Sequence, residues 1–179
     1  MKGEVFLEFF KMVDEVFSPE MTEHLIDDAE LSTNGIYTAV GTYPPADILN
    51  LVVALSKRTD APVGDLVHAF GKYLFNSFTI RYPHFFENQS DAFEFLKGVD
   101  DYIHVEVHKL YPEASTPKIT VEQSTPHSMK LEYSSQCPFA ELANGLLHAC
   151  IEYFQQDINI ERPFTAENGQ AAEFQLSKV

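Results

Sequence analysis

The chain has 179 residues, with 12 Lys and Arg against 27 Asp and Glu, a formal net charge of −15. Hydrophobic residues make up 45% and aromatics 13%, enough for a sizeable core and too many for a disordered chain. The acidic balance excludes an ordinary nucleic-acid binder, which needs clustered Lys and Arg, and argues against docking on anionic lipid. The first half then reads as helices. From Gly3 to Phe17, Val5, Phe6, Phe9, Phe10, Met12, Val13 and Val16 recur near helical spacing. Ser18-Pro19 stops that helix and opens a short acidic one over Glu20 to Glu30. Leu31 to Tyr43 is rich in Ser, Thr, Asn and Gly and reads as a loop. Pro44-Pro45 opens a third helix through Ile48, Leu51, Val52 and Leu55, and Asp60-Ala61-Pro62 punctuates again. A fourth carries Leu66, Val67, Phe70, Tyr73, Leu74, Phe75 and Phe78 and ends before Pro83. Ser90 is the expected N-cap of a fifth, with Asp91 in its first turn. That helix should run unbroken to Tyr111, because Pro112 disfavours helical geometry in the residue before it.

After Pro112 the period changes to two. Lys118 to Glu122 and Met129 to Tyr133 alternate like hairpin strands. Pro138 to Phe154 returns to a helical pattern through Phe139, Leu142, Leu146, Leu147, Cys150 and Tyr153. Ile158 to Ile160 and Phe174 to Leu176 are short strand candidates, with a turn at Asn168-Gly169. The expected class is α+β, a single domain over residues 1–179 with a helical part followed by an antiparallel-sheet-plus-helix part.

No apolar run approaches the ~20 residues of a membrane span. The start, Met1-Lys2-Gly3-Glu4, runs straight into an amphipathic pattern rather than a signal peptide. Cys137 and Cys150 are too few for a secreted disulfide framework, so a cytoplasmic protein is expected. If both are helical they stand about 20 Å apart, beyond the reach of a bridge. Standard enzyme signatures are absent: there is no phosphate-binding glycine loop, zinc-protease helix, nucleophile elbow or Cys-x-x-Cys pair.

The most informative stretch is the fifth helix. Leu96, Val99, Ile103, Val107 and Leu110 share one face of a wheel drawn at ~100° per residue, and His104 lies at its margin. Such an imidazole is either a hydrogen-bonded core residue or an axial ligand projecting into an apolar cavity. His104 and His108, one turn apart, have a spacing that can bind zinc, but no third ligand is evident and a solvated His108 is the simpler reading. Cys137, before Pro138 at a strand-to-helix junction, stands where a thiol can be activated. Cys150 falls inside an apolar stripe and reads as inert.

Phe93 to Pro112, with the run Gly98-Val99-Asp100-Asp101-Tyr102-Ile103-His104-Val105-Glu106-Val107, resembles the H-NOX family of haem-nitric oxide/oxygen binding domains. Tyr133-Ser134-Ser135 resembles the start of that family's Tyr-x-Ser-x-Arg motif, and Met1-Lys2-Gly3, Ala69-Phe70-Gly71 and Gly145-Leu146-Leu147 fit as well. The resemblance implies a helical lobe over about residues 1–62 and an α+β lobe over about 63–179, sandwiching haem b. It implies His104 as the proximal iron ligand, Tyr133 and Ser135 as hydrogen-bond partners of the haem propionates, and Pro117 as the proline pressing on the porphyrin.

One departure stands out. The motif's Arg is Cys137 here, which offers a weak donor and no positive charge. Losing a charge-assisted contact of about 1.5–3 kcal/mol weakens haem retention about tenfold to a hundredfold. On the distal side the resemblance implies a pocket of Val5, Phe9, Leu74, Phe78, Leu142 and Leu146, with Leu142 where oxygen-binding members carry a Tyr. A pocket without a donor implies NO and CO binding with little stable dioxygen binding. The absence of Cys and His from Ile160 to Val179 implies no structural zinc. The implied mechanism is signalling: NO weakens the bond to His104, the proximal helix shifts, and the haem flattens away from Pro117. The implied partner is a bacterial sensor histidine kinase or a cyclic-di-GMP enzyme, a diguanylate cyclase or phosphodiesterase. The competing reading keeps the fold without haem, as a protein-interaction module with Cys137 as its redox-responsive group.

Overall fold

A computed structural model describes all of residues 1–179. Four helices come first: α1 (Gly3–Val16), α2 (Pro19–Asp28), α3 (Pro45–Thr59) and α4 (Val63–Arg81). Helix α1 begins without a side-chain cap. Its free N–H groups are met instead by the loop that follows α2: Gly3 donates to the Gly41 carbonyl at 2.9 Å and Glu4 to that of Ala39 at 3.1 Å. That loop is pinned in turn by the buried Asp47 carboxylate, whose Oδ2 accepts from the Ser32 N–H (3.1 Å), the Ser32 hydroxyl (2.6 Å) and the Tyr37 phenol (2.9 Å). The Ser18 hydroxyl accepts from the Met21 N–H at 3.2 Å and caps α2, with Pro19 in the first turn.

After a 3₁₀ turn at Pro83–Phe85 the chain enters α5 (Ala92–Gly98). The cap here is Asp91, not Ser90: its carboxylate accepts from the Glu94 N–H at 3.0 Å. The expected unbroken helix is also interrupted. A six-residue π-helical segment, Val99–His104, separates α5 from α6 (Val105–Leu110). A π turn inserts one residue into the α-helical count and rotates everything downstream by about 100°. Leu110, assigned by the straight wheel to the apolar face, is accordingly 69% exposed.

The remaining elements are β1 (Lys118–Ser124), β2 (Ser128–Ser134), α7 (Ala140–Tyr153), β3 (Ile158–Thr165) and β4 (Ala171–Lys178). The strands form one antiparallel sheet in the order β1-β2-β4-β3. Met129, Leu131 and Tyr133 alternate on the buried face of β2, opposite Leu176, Phe174 and Ala172 of β4. β3 is an edge strand whose register shifts between Glu161 and Phe164, around Arg162-Pro163, where a proline with no N–H is tolerated.

Apolar residues gather in two clusters. One holds α1 to α3, the first turns of α4 and Phe139; the other holds the sheet face, α5, most of α7 and Phe75, Phe85 and Phe86. Helix α4 supplies both, with Leu66, Val67, Phe70 and Leu74 in the first and Phe75 in the second. It crosses α7 at closest approach through Gly71 and Gly145. A Cβ built on Gly145 would lie 3.0 Å from the Gly71 Cα and overlap the His68 carbonyl oxygen.

Candidate functional site

His104 ends the π-helical segment, with its side chain 16% exposed. Its Nδ1 lies 3.0 Å from Oδ1 of Asp100, one turn back. A carboxylate only accepts, so Nδ1 is the donor, and in the neutral ring Nε2 carries the lone pair. Val99 and Ile103 of the same segment are half-buried against the C-terminal cluster, as are Ile119 and Val121 of β1, which packs beside it. His108 is exposed, and its Nε2 lies 3.0 Å from the Thr116 hydroxyl. The two histidines are engaged separately, and no group of three or more His, Cys, Asp or Glu side chains is placed to hold a metal ion. Pro117 follows Thr116 directly and is half-buried at the entrance to β1.

Tyr133 closes the buried face of β2 and is 4% exposed. Burial pushes its phenol up, and the Ser135 hydroxyl offsets part of the rise. The chain then turns tightly into α7. The Cys137 N–H donates to the Ser135 hydroxyl oxygen at 3.1 Å, and the Phe139 N–H to the Cys137 carbonyl at 2.9 Å. A second loop braces this turn: Ser135 N–H donates to the Gln170 carbonyl (2.8 Å) and Ala140 N–H to the Gly169 carbonyl (3.1 Å). Gly169 has φ +66°, which only glycine adopts cheaply, and a Cβ added there would meet the Pro138 backbone at 3.3 Å. Tyr133, Ser135 and Cys137 thus stand together at one end of the seam between the clusters. Cys137 is half-buried against the N-terminal cluster, as is Met1. Both cysteines are free.

All six residues expected on the distal side belong to the N-terminal cluster or pack on it. Phe9 and Leu74 are buried in it, and Val5, Phe78, Leu142 and Leu146 are half-buried at its edge. Phe78 and Leu146 touch both clusters. His104 directly follows Ile103, which packs on the C-terminal cluster, whereas these residues of α1, α4 and α7 lie in or on the N-terminal cluster, with Phe78 and Leu146 on the seam between the two. Half-buried apolar side chains along such a seam suit a flat apolar group. The donor set suits a porphyrin in two respects: one imidazole whose Nε2 has no partner, and two neighbouring hydroxyls, on Tyr133 and Ser135, able to donate to carboxylates. It misses in a third, since Cys137 brings no cation.

Three features of the site were missed by sequence reasoning. Asp100 had a signal, an acid four residues before a histidine. The His108–Thr116 contact had none, because the loop brings it together. The Gly71–Gly145 crossing depends on two helices 74 positions apart in sequence.

The haem-NO-binding family profile matches residues 2–162. Among solved structures, the chain is similar to the Fe(II) unliganded H-NOX protein of K. algicida, with 32% identity, a TM-score of 0.94, and coverage of 100% of this chain and 97% of that one. It is similar to the Shewanella woodyi H-NOX, solved in the Fe(II)CO state with IWP-051 bound, at 38% identity, TM-score 0.84, and coverage of 100% and 95%. It is also similar to the S. oneidensis H-NOX protein in the Fe(II)NO state, at 27% identity, TM-score 0.91, and coverage of 100% and 99%. No curated protein matches the sequence significantly. No helix is long and apolar enough to cross a membrane. With the family profile spanning nearly the whole chain and the same fold in relatives solved as ferrous proteins, this chain belongs to the haem-NO-binding (H-NOX) family, the haem-based gas sensors.

Proposed function

We propose that the chain is a nitric oxide sensor that holds ferrous haem b through His104 and reports to a separate signalling enzyme. The observation that carries this reading is the state of His104: half-buried in the segment that packs beside β1, with Nδ1 against Asp100 and no hydrogen-bond partner on Nε2. Haem held by His104 would supply an iron able to bind a diatomic gas. The chain's own residues do the rest. Tyr133 and Ser135 would donate hydroxyl hydrogen bonds to the propionates, and Pro117 would set the shape of the proximal side. Val5, Phe9, Leu74, Phe78, Leu142 and Leu146 exclude water from the distal side. None of these six brings a donor, so NO and CO are favoured over dioxygen, which needs a donor to be retained. His104 ends the segment that joins α5 to α6, so a pull or release at its ring moves the seat of that segment against β1.

In this reading the chain acts as a sensor rather than an enzyme. The partner in this reading is a sensor histidine kinase, or a diguanylate cyclase or phosphodiesterase, in a bacterial cytoplasm. A net charge of −15 favours a basic patch on that partner. A second reading rests on Cys137: without the motif's cation, the fold serves as a haem-poor, redox-responsive interaction module. An absorption spectrum of the ferrous protein before and after NO, with haem counted per chain, separates them. A Soret band near one haem per chain that shifts with NO, and loses its histidine character in His104→Ala, supports the sensor. No haem and no saturable uptake supports the module.

A further inference from the structure

We propose that Asp100 is a positioning residue for the proximal ligand, fixing the His104 tautomer and making its Nε2 a stronger electron donor. This rests on His104 being the haem ligand. Both residues lie within the π-helical segment, with Asp100 Oδ1 3.0 Å from His104 Nδ1. Asp100 makes no other hydrogen bond or ion pair, so its carboxylate is committed to this ring. Asp101, its neighbour, is exposed and pairs with nothing.

A charge-assisted hydrogen bond does two things here. It holds the proton on Nδ1, so that the lone pair is always presented on Nε2. It also shifts negative charge into the ring, which strengthens the bond from Nε2 to a metal; losing such a partner typically costs about 10–100-fold in metal affinity. A ligand with more anionic character stabilises ferric over ferrous iron and resists displacement by NO. Asp100 therefore sets how readily the proximal bond gives way, the property on which a gas sensor's threshold depends.

The test compares the full chain with Asp100→Asn and Asp100→Ala, and with Asp101→Asn as the neighbouring control. In haem-free protein, nitrogen NMR of His104 should show the Nδ1–H tautomer in the wild type and a shift toward Nε2–H in Asp100→Ala. In haem-loaded ferrous protein, Asp100→Asn should lower the iron–histidine stretching frequency and raise the midpoint potential. It should also increase the fraction of the NO complex that has lost His104 and speed haem loss about tenfold or more. Asp101→Asn should move none of these. A wild-type His104 in the Nε2–H tautomer would overturn the proposal, as would an Asp100→Asn protein with unchanged frequency, potential and haem loss. Failure of the haem reading shows separately, as wild-type protein that lacks a histidine-ligated spectrum while the haem-free tautomer still reports on the hydrogen bond.

Discussion

The α4–α7 crossing makes a prediction that does not depend on haem. Gly145→Ala puts a methyl group 3.0 Å from the Gly71 Cα and into the His68 carbonyl. Both obstacles are backbone, so neither can swing away. Restoring ordinary contact requires the helices to part by about 1 Å. A gap of that size forfeits about a quarter to a half of the contact energy of the side chains bordering it. Phe70, Leu74 and Phe75 of α4 and Leu147 of α7 are all buried beside this crossing. If each loses a quarter of the roughly 2 kcal/mol its burial provides, the cost is about 2 kcal/mol, in the usual range for overpacking. Replacing a helical glycine returns about 0.5–1 kcal/mol, leaving a net loss of about 1–1.5 kcal/mol. For a chain of this size that lowers Tm by about 2–6 °C. Gly98→Ala is the contrast, since its added Cβ meets nothing within 4 Å. It should raise Tm by about 1–4 °C, having only the helical gain. Thermal unfolding of haem-free protein, followed by far-UV circular dichroism, measures both. A Gly145→Ala protein that melts at or above the wild type would refute the claim that this contact holds the helices at their present distance.

Other predictions follow from the same geometry. Cys137→Arg should slow haem transfer to an excess of a high-affinity acceptor by about tenfold to a hundredfold, the worth of about 1.5–3 kcal/mol in a charge-assisted contact; an unchanged rate would place the propionates elsewhere. Burial pushes the Cys150 thiol up and leaves the residue 1% exposed. A thiol reagent should therefore label half-buried Cys137 in the native protein and reach Cys150 only on unfolding, as read by mass spectrometry. Burial pushes the Asp91 carboxyl up, but hydrogen bonds from the Glu94 N–H and Lys178 outweigh it and leave the group below its ordinary value. Its folded value is thus depressed, so its stabilising effect is present above about pH 4 and lost as pH falls through the folded value. The Tm difference between wild type and Asp91→Asn, which keeps a cap but not the charge, should shrink steadily as pH falls below about 4.

What could be read in advance was what local chemistry dictates. Pro19, Pro45, Pro83 and Pro112 mark real boundaries because a proline has no N–H and constrains its predecessor. Lys118 to Glu122 and Met129 to Tyr133 were legible as strands because one face is buried and the alternation is complete in β2. β3 ran longer than Ile158 to Ile160 because its later residues are exposed on an edge and take their strand character from β4. The π turn left no periodic signal, so a wheel drawn at constant pitch was right up to Ile103 and wrong at Leu110. At the site, His104 stood out by its marginal place on an apolar face. Its partnership with Asp100 follows the spacing of four that neighbours on a helix share.

The double membership of α4 also bears on how the molecule comes apart. A helix whose first turns complete one core and whose Phe75 completes the other cannot be released by either core alone. Melting the N-terminal helices would leave Leu66, Val67, Phe70 and Leu74 in water while Phe75 still held its place. Melting the sheet side would do the reverse. Partial unfolding therefore costs nearly as much as complete unfolding, which is the physical basis of cooperativity. The slowest-exchanging amides of the chain should lie along α4 and the α7 face against it, and both lobes should lose structure in a single transition.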